Sequence, residues 1–471
     1  MNSIYYFLPY HFRRLAAGTK GYFLSKRRYT QQTESLVAEI LERDYWTTAQ
    51  WQEWTQIQLA HQLENAATHC PYYRQQWAER RKRGDRASWV YLENWPILNK
   101  DAVRENPGAF LVDDSRKNRF HEEHTSGTSG KPLTLWRSKD VEKLWYAQFE
   151  ARVRYWNGVS RFDRWAILGG QLVVSVRQKK PPYWVWNGGM KQLYCSVYHL
   201  SPQTGRYYVE AIKAHQVDYL LGYPSALAGL AQMIVEQGLP TSGIKVVLTN
   251  AEMLLPAQRE MIQKAFGCPV MDTYGMAELA AAGSECEYQV MHLWPDTGVV
   301  EVFNDGEDQP LPTRETGRLI CTSLVNTSMP FIRYQVGDRG ALASEDFSCT
   351  CGRRLPALLH IDGRLDHVIL TPDGRRVGRL DPVFKADLAI HEAQIIQEEL
   401  AKIRVRVVPA SGYTKKSEVT IQQRVQERLG EVQVIVEPVE RIERGKNGKF
   451  IAVISKLDEK NPATHKGYVD E

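Results

Sequence analysis

Residues 219–248, YLLGYPSALAGLAQMIVEQGLPTSGIKVVL, decide the fold. Tyr219–Leu221 is a short apolar run, Ser225–Gln237 carries apolar residues at helical spacing, and Lys245–Leu248 is a second β-type run. The stretch therefore reads strand, helix, strand. The alternation extends outward from about residue 120 to about residue 345, with Trp165–Leu168 and Arg318–Thr322 as further strands and Pro256–Phe266 as a further helix. This pattern predicts a large layered α/β domain. After Arg364 the elements shorten, with Ile403–Val408, Lys416–Leu429 and Val432–Val436 separated by charged turns. A separate, small α+β unit is expected there. The spacing thus predicts an N-terminal arm over 1–45, a large domain over 46–364, a small domain over 365–456 and a polar tail over 457–471.

At 471 residues the chain exceeds the length at which one hydrophobic core stops growing, so at least two domains are expected. A hydrophobic share of 43% with 24% charged residues is that of a soluble globular protein. No stretch offers the roughly 20 uncharged apolar residues of a membrane span, and the start lacks an apolar signal segment with a cleavage site. A cytoplasmic location is the expectation. Seven cysteines, an odd number spread along the chain, do not form a secreted disulfide framework. Thr48–Trp77 reads as helical after the caps Thr47 and Thr48, its face of Trp51, Trp54, Ile57, Leu59, Ala60 and Leu63 serving as core.

The net charge of +5 is unevenly spread: the first 33 residues hold Arg13, Arg14, Lys20, Lys26, Arg27 and Arg28 and no acid, so the remainder sums to −1. Ile4, Tyr5, Tyr6, Phe7, Leu8, Tyr10 and Phe12 stand beside these cations. Two readings follow, a basic arm packed on the body or a segment lying on an anionic membrane surface. Pro9 interrupts any continuous helix through it. No long basic stripe points to nucleic acid.

Two further groups carry chemistry. His124-Thr125-Ser126-Gly127-Thr128-Ser129-Gly130-Lys131-Pro132 can turn backbone amides and hydroxyls toward a polyphosphate, since glycine removes the Cβ that would keep an anion away. It is not a Walker A loop, because Gly127 and Gly130 are too close together and Pro132 stands where Ser or Thr would hold Mg²⁺. An ordinary turn has the same composition. Cys286, His292, Cys349 and Cys351 supply three thiolates and an imidazole, a closed tetrahedral set for structural Zn²⁺, although neither half has a standard finger spacing. A catalytic Cys–His pair explains four such residues less well. Cys70, Cys195, Cys268 and Cys321 are expected in the core.

Tyr274-Gly275-Met276-Ala277-Glu278, Tyr334-Gln335-Val336-Gly337-Asp338, Gly363-Arg364-Leu365-Asp366 and Gly448-Lys449 follow the glycine-rich run in that order. Together the motifs resemble those of the adenylate-forming superfamily of acyl-CoA synthetases, adenylation domains and luciferases. Gly222-Tyr223-Pro224-Ser225, Ala251-Glu252 and Cys349-Thr350-Cys351-Gly352-Arg353 are similar to the phenylacetate-CoA ligase and CapK-like branch. The resemblance implies a large α/β domain with a small, hinged C-terminal domain, and an enzyme that uses ATP and Mg²⁺ to form an acyl-AMP from a small carboxylate. It implies Ser126, Gly127, Thr128, Ser129, Gly130 and Lys131 on the β- and γ-phosphates and Glu278 as the Mg²⁺ ligand. Tyr274 and Gly275 would flank the nucleotide, Ala251 and Glu252 the adenine. Asp338 would hold the ribose hydroxyls and Arg364 the ribose–phosphate side. Lys449 would bridge the α-phosphate and carboxylate, with Lys446 as a rival in the same loop, and Asp366 would be the hinge. Some relatives carry a cysteine–histidine metal site at the positions of Cys286, His292, Cys349 and Cys351.

The resemblance implies coenzyme A as the acyl acceptor, with an amine such as an amino sugar or amino acid, fitting polysaccharide biosynthesis, as the alternative. His199 either borders the acyl pocket or is a structural histidine. Tyr183, Trp184 and Trp186 either line an aryl pocket or fill core. Outside enzymes, an idle nucleotide-binding scaffold and a membrane-surface adaptor are the other classes considered. Glu278 and Lys449 argue against the scaffold.

Overall fold

A computed structural model describes residues 5, 8–113, 120–124, 133–171, 173–175, 178–241, 243–364, 369–372, 376–377, 380, 383–384, 388–443, 451 and 453–457. The expected phosphate loop 126–131, the hinge Asp366 and both Lys446 and Lys449 lie outside them, as does the tail from residue 458. Two compact units emerge. The first gathers the described residues of Met1–Leu254, Met261–Val336 and Gly340–His360, the second those of Leu255–Glu260, Gly337–Arg339 and Ile361–Glu471.

A 12-stranded sheet dominates. Its spatial order is Gly298–Phe303, Gly317–Ser323, Tyr334–Leu342, Ala357–Arg364, Met291–Leu293, Ala282–Glu285, Val270–Gly275, Val246–Thr249, Tyr219–Gly222, Trp165–Gly169, Gln192–Ser196 and Trp184–Asn187. The five strands that begin at Trp165, Gln192, Tyr219, Val246 and Val270 are parallel. Helices Gly205–Ala214, Pro224–Gln237 and Pro256–Phe266 cover this block, burying Tyr208, Ile212, Leu227, Leu230, Ile234, Ile262 and Phe266 against Ala166, Leu168, Leu220 and Val247. Parallel strands covered on their faces are apolar throughout, which is why Tyr219–Gly222 and Val246–Thr249 are buried at every position. Tyr183 and Trp186 are buried in the same core and Trp184 packs on it, so these aromatics fill core.

The expected helix over 48–77 is two helices, Thr48–His69 and Pro71–Lys82. Thr47 begins the first with a reciprocal capping box to Gln50, and Pro71, lacking an N–H, starts the second. Pro9 likewise stands just outside the helix Tyr10–Arg28.

That first helix lies on the body of the first unit. Arg13 is buried and donates a 3.2 Å hydrogen bond to Gln178 Oε1, and Ala17 packs against Val173, Val174 and Val185. Gly21 and Gly189 let the helix and the turn Gly188–Met190 approach with no room for a Cβ at either. Farther on, helix Thr33–Arg43 buries Val37 and Ile40. Asp44, just beyond it, accepts a 2.8 Å bond from Arg152 Nε, while Arg152 Nη2 reaches Asp296 Oδ2 at 3.1 Å. Arg152 sits in a π-helical turn, Glu150–Arg154, and is fully buried. Burial opposes its charge, but Asp296 and Asp44 outweigh that effect and hold its pKa above the ordinary value.

In the second unit a four-stranded sheet runs Gln433–Pro438, Lys402–Pro409, Ile390–Glu399, Val453–Ser455. The central pair is antiparallel and each outer strand is parallel to its neighbour. Helix Lys415–Leu429 seats Ile421, Val425 and Leu429 in one core with Ile395, Ile403, Val405 and Val407. The whole is a large layered α/β domain with a small α+β C-terminal domain, the fold expected from the sequence.

Candidate active site and metal centre

The parallel block brings several expected site residues to one edge of the sheet. Register pairs Leu168 with Gly222, Gly222 with Thr249, and Thr249 with Asp272, so the strands end side by side. Gly169, Tyr223, Glu252, Tyr274 and Gly275 stand at or just beyond these carboxyl ends. The chain leaves Trp165–Gly169 for a strand on one side and returns to Tyr219–Gly222 on the other, so strand order reverses there. Open α/β sheets bind ligands at such a reversal, outside the carboxyl ends.

Tyrosines furnish the mouth. Tyr198 donates a 2.8 Å hydrogen bond to the Gly170 carbonyl, and Tyr194 accepts one of 3.2 Å from Gln171 N–H. Burial raises the pKa of Tyr223, and the Glu252 charge nearby adds to it. Glu252 Oε2 accepts a 3.0 Å bond from Ser225 N–H in the first turn of helix Pro224–Gln237, a favourable place for a carboxylate. Ala251, the residue before it, has a left-handed backbone with φ of 65°. His199 is held by Ser196 Oγ at 2.8 Å from its Nδ1 and by Tyr183 stacked 4.9 Å away, and burial lowers its pKa. It sits beyond the end of Gln192–Ser196, on the same edge.

Glu278 is 5% exposed. Its Oε1 accepts a 2.9 Å hydrogen bond from the Tyr334 hydroxyl and lies 3.3 Å from Lys100 Nζ. Leu279 follows with φ of 55°, so a residue in a costly left-handed conformation adjoins each of Glu252 and Glu278. The expected phosphate loop is framed by a hairpin, Phe120–His124 paired antiparallel with Thr134–Ser138. Arg137 on that hairpin pairs with Glu123 at 3.0 Å and donates to the Ala277 carbonyl, one residue before Glu278. The hairpin that frames the glycine-rich loop and the Glu278 turn are therefore hydrogen-bonded neighbours. Lys100 and Arg137 were not among the expected site residues, since neither belongs to a motif and only folding brings them here.

Asp338 lies within the strand Tyr334–Leu342, directly after Gly337 at φ of 89°, and Arg364 ends the strand Ala357–Arg364. Both are counted with the second unit.

Cys286, His292, Cys349 and Cys351 converge, with one ligand atom from each lying within 4.8 Å of the others. Cys286 closes the turn between Ala282–Glu285 and Met291–Leu293, and its N–H bonds to the Val290 carbonyl at 3.1 Å. Cys349 and Cys351 come from the loop before Ala357, where Gly352 at φ of 78° donates to the Cys349 carbonyl. Cys286 Sγ and Cys349 Sγ are 3.7 Å apart, and Cys351 Sγ is 3.3 Å from His292 Nε2. Two sulfurs about 2.3 Å from one tetrahedral ion stand about 3.8 Å apart, so the donor set fits Zn²⁺. The far nitrogen of His292, Nδ1, is 3.3 Å from the Leu355 carbonyl, an arrangement that fixes the tautomer with Nε2 free to ligate. Burial lowers the His292 pKa and favours that neutral ring, while it pushes the Cys349 thiol up to about 12. Such thiols ionise only against a strong neighbouring cation. Around the set, Arg353 stacks 4.3 Å over Trp156 and pairs with Glu287 at 2.7 Å. Trp156 meets His292 edge-on and donates to Asp44.

Residues 369–456 match the family of CapK C-terminal domains. The chain is 25% identical over 351 residues to Protein CapK of Staphylococcus aureus, covering 73% of this chain and 74% of that protein. It is 27% identical over 291 residues to the phenylacetate-coenzyme A ligase of Pseudomonas putida, covering 59% of this chain and 63% of the ligase. Among solved structures, a 2-hydroxyisobutyryl-CoA ligase in its postadenylation state superposes with a TM-score of 0.68 at 21% identity, covering 90% of this chain and 93% of that one.

Proposed function

We propose that this chain, an adenylate-forming ligase of the branch that holds CapK and the phenylacetate-CoA ligases, activates a small carboxylic acid with ATP and passes the acyl group to coenzyme A. The observation that carries this reading is the bond from Arg137 to the Ala277 carbonyl, because it ties the hairpin that frames the glycine-rich loop to the turn that bears the buried Glu278.

In the first step a carboxylate oxygen attacks the α-phosphorus of ATP, the bond to the bridging oxygen breaks, and pyrophosphate leaves with the electron pair. Ser126, Gly127, Thr128, Ser129, Gly130 and Lys131 hold the β- and γ-phosphates through backbone N–H groups, hydroxyls and the lysine charge. Glu278 would be the oxygen ligand for Mg²⁺, which would neutralise charge on the phosphates. Tyr274 and Gly275 flank the nucleotide, Ala251 and Glu252 the adenine, and Asp338 accepts from the ribose hydroxyls. Arg364 steadies the ribose–phosphate side. Lys449 places a compact positive charge between the α-phosphate and the attacking carboxylate, and Asp366 is the pivot before transfer. In the second step the coenzyme A thiol loses its proton, sulfur attacks the acyl carbon, and AMP departs as the acyl–oxygen bond breaks. Cys286, His292, Cys349 and Cys351 would hold Zn²⁺, which would tie two loops together and take no part in either step. The reaction belongs in the cytoplasm, where its co-substrates are.

A panel of aliphatic, hydroxy and aryl carboxylates, scored by pyrophosphate release with and without coenzyme A, tests this reading. Carboxylate-dependent release and a coenzyme A thioester are expected. ATP binding with no release for any acid would identify a scaffold, and release that yields product only with an amine would identify an amide ligase.

A further inference from the structure

On the first helix, Phe12, Leu15, Tyr22 and Phe23 are 59%, 67%, 54% and 68% exposed, although side chains of this size are ordinarily covered. With Thr19 and Lys26 they fall within an arc of about 100°, one continuous strip of a helix with 3.6 residues per turn. The opposite face is fixed to the body through Arg13, Ala17 and Gly21, and Arg27 and Arg28 both pair with Glu142. The strip is therefore presented outward by an anchored element. Lys26 lies within the strip and Lys20 beside it, both exposed, and no acid occurs in the first 33 residues.

We propose that this face docks on an anionic lipid bilayer, with Phe12, Leu15, Tyr22 and Phe23 entering the headgroup region and Lys20 and Lys26 meeting lipid phosphates. Charge complementarity selects this occupant. A second copy pairing through the same strip would set Lys20 and Lys26 against their counterparts with no acid of the helix to offset them, a costly arrangement in a two-fold interface. The strip is convex and runs about 16 Å along the helix from Phe12 to Phe23, a shape suited to a flat, fluid surface. No described helix is long and apolar enough to cross a membrane, so the contact is peripheral.

The test is flotation of the full chain with vesicles of phosphatidylcholine alone and of phosphatidylcholine mixed with phosphatidylglycerol. Binding is expected only to the mixed vesicles and should fall as salt shortens the screening length from about 8 Å to about 3 Å. Phe12→Ser with Phe23→Ser should lower partitioning at least about tenfold, and Lys20→Glu with Lys26→Glu by about tenfold or more. All four side chains are exposed, so melting temperature and pyrophosphate release should match the parent; if the first pair misfolds, the charge pair decides alone. Wild-type protein that stays unbound with anionic vesicles, or variants that float equally well, would overturn the proposal. A concentration-dependent dimer lost in the phenylalanine variant, without flotation, would instead assign the face to a second copy.

Discussion

The Tyr334 hydroxyl donates to Glu278 Oε1 at 2.9 Å, within a pocket that leaves the carboxylate almost no contact with water. Tyr334→Phe removes a donor to a buried charged acceptor and leaves Oε1 with Lys100 alone among the described residues, so a loss of about 1–3 kcal/mol in a urea titration is expected. Glu278→Gln keeps the shape and removes the charge that would hold Mg²⁺. Pyrophosphate release should drop by about 100-fold or more, whereas metal-free nucleotide binding should persist. A Gln variant with parental release would remove Glu278 from the reaction.

Metal analysis of protein purified without added metal should give about one Zn²⁺ per chain. Cys351→Ser should lower that content and the melting temperature, and a chelator should lower the melting temperature of the parent but not of the variant. Cys268→Ser, outside the cluster, should keep its zinc. A chain free of zinc at full stability would make the four residues an ordinary buried group.

Lys449→Ala should abolish carboxylate-dependent pyrophosphate release while ATP affinity changes little if, as proposed, this charge acts on the transition state. Lys446→Ala should leave release near the parental level. The reverse pattern would transfer the role to Lys446.

Burial lowers the pKa of both His199 and His215, so the unfolded chain takes up protons first as the pH falls. Their contribution to stability is complete above the ordinary histidine pKa of about 6.5 and is lost as the pH drops toward the lowered folded values. Melting temperature should therefore decline on acidification through that window. Because both rings are half-buried, each contributes well under the limiting slope of about 1.4 kcal/mol per pH unit. His215→Gln should flatten the decline, and an unchanged slope would mean that His215 titrates as it does unfolded.

A Cβ at Gly222 would stand 2.5 Å from the Leu168 carbonyl oxygen and 3.1 Å from Leu168 Cβ. Gly222→Ala should force apart adjacent strands where they deliver Tyr223, costing about 1–3 kcal/mol. Equilibrium unfolding checks this, and an alanine variant of parental stability would show that the strands can yield.

Much of the architecture was legible because its strands are continuous apolar runs and its helices keep their period. Trp165–Leu168 and Tyr219–Leu221 stand out in this way, the strand expected over Ile403–Val408 shows instead the alternation that buries Ile403, Val405 and Val407, and Pro256–Phe266 has the predicted bounds. Ala282–Glu285 does not, since its Ala-Gly-Ser-Glu composition has little strand character. The sheet needs small residues there: a Cβ at Gly283 would lie 2.8 Å from the His292 carbonyl oxygen. Met291–Leu293 is too short to show a period. At the cysteine–histidine cluster the residue types announced the candidate ligands, but the partnership of two distant pairs exists only after the sheet forms. Lys100 and Arg137 had no local signal at all. The break at Pro71 was visible as a proline, yet the strong helical pattern on either side concealed it.

The Asp44–Arg152–Asp296 triad also sets an order on biosynthesis. Asp44 emerges from the ribosome early, Arg152 later, and Asp296 only after more than half of the chain has been made. Until then the guanidinium and the first carboxylate lack the full set of partners that allows them to leave water, so the opening helices cannot settle as an independent piece. In this protein the beginning of the chain is among the segments that must wait longest for their place.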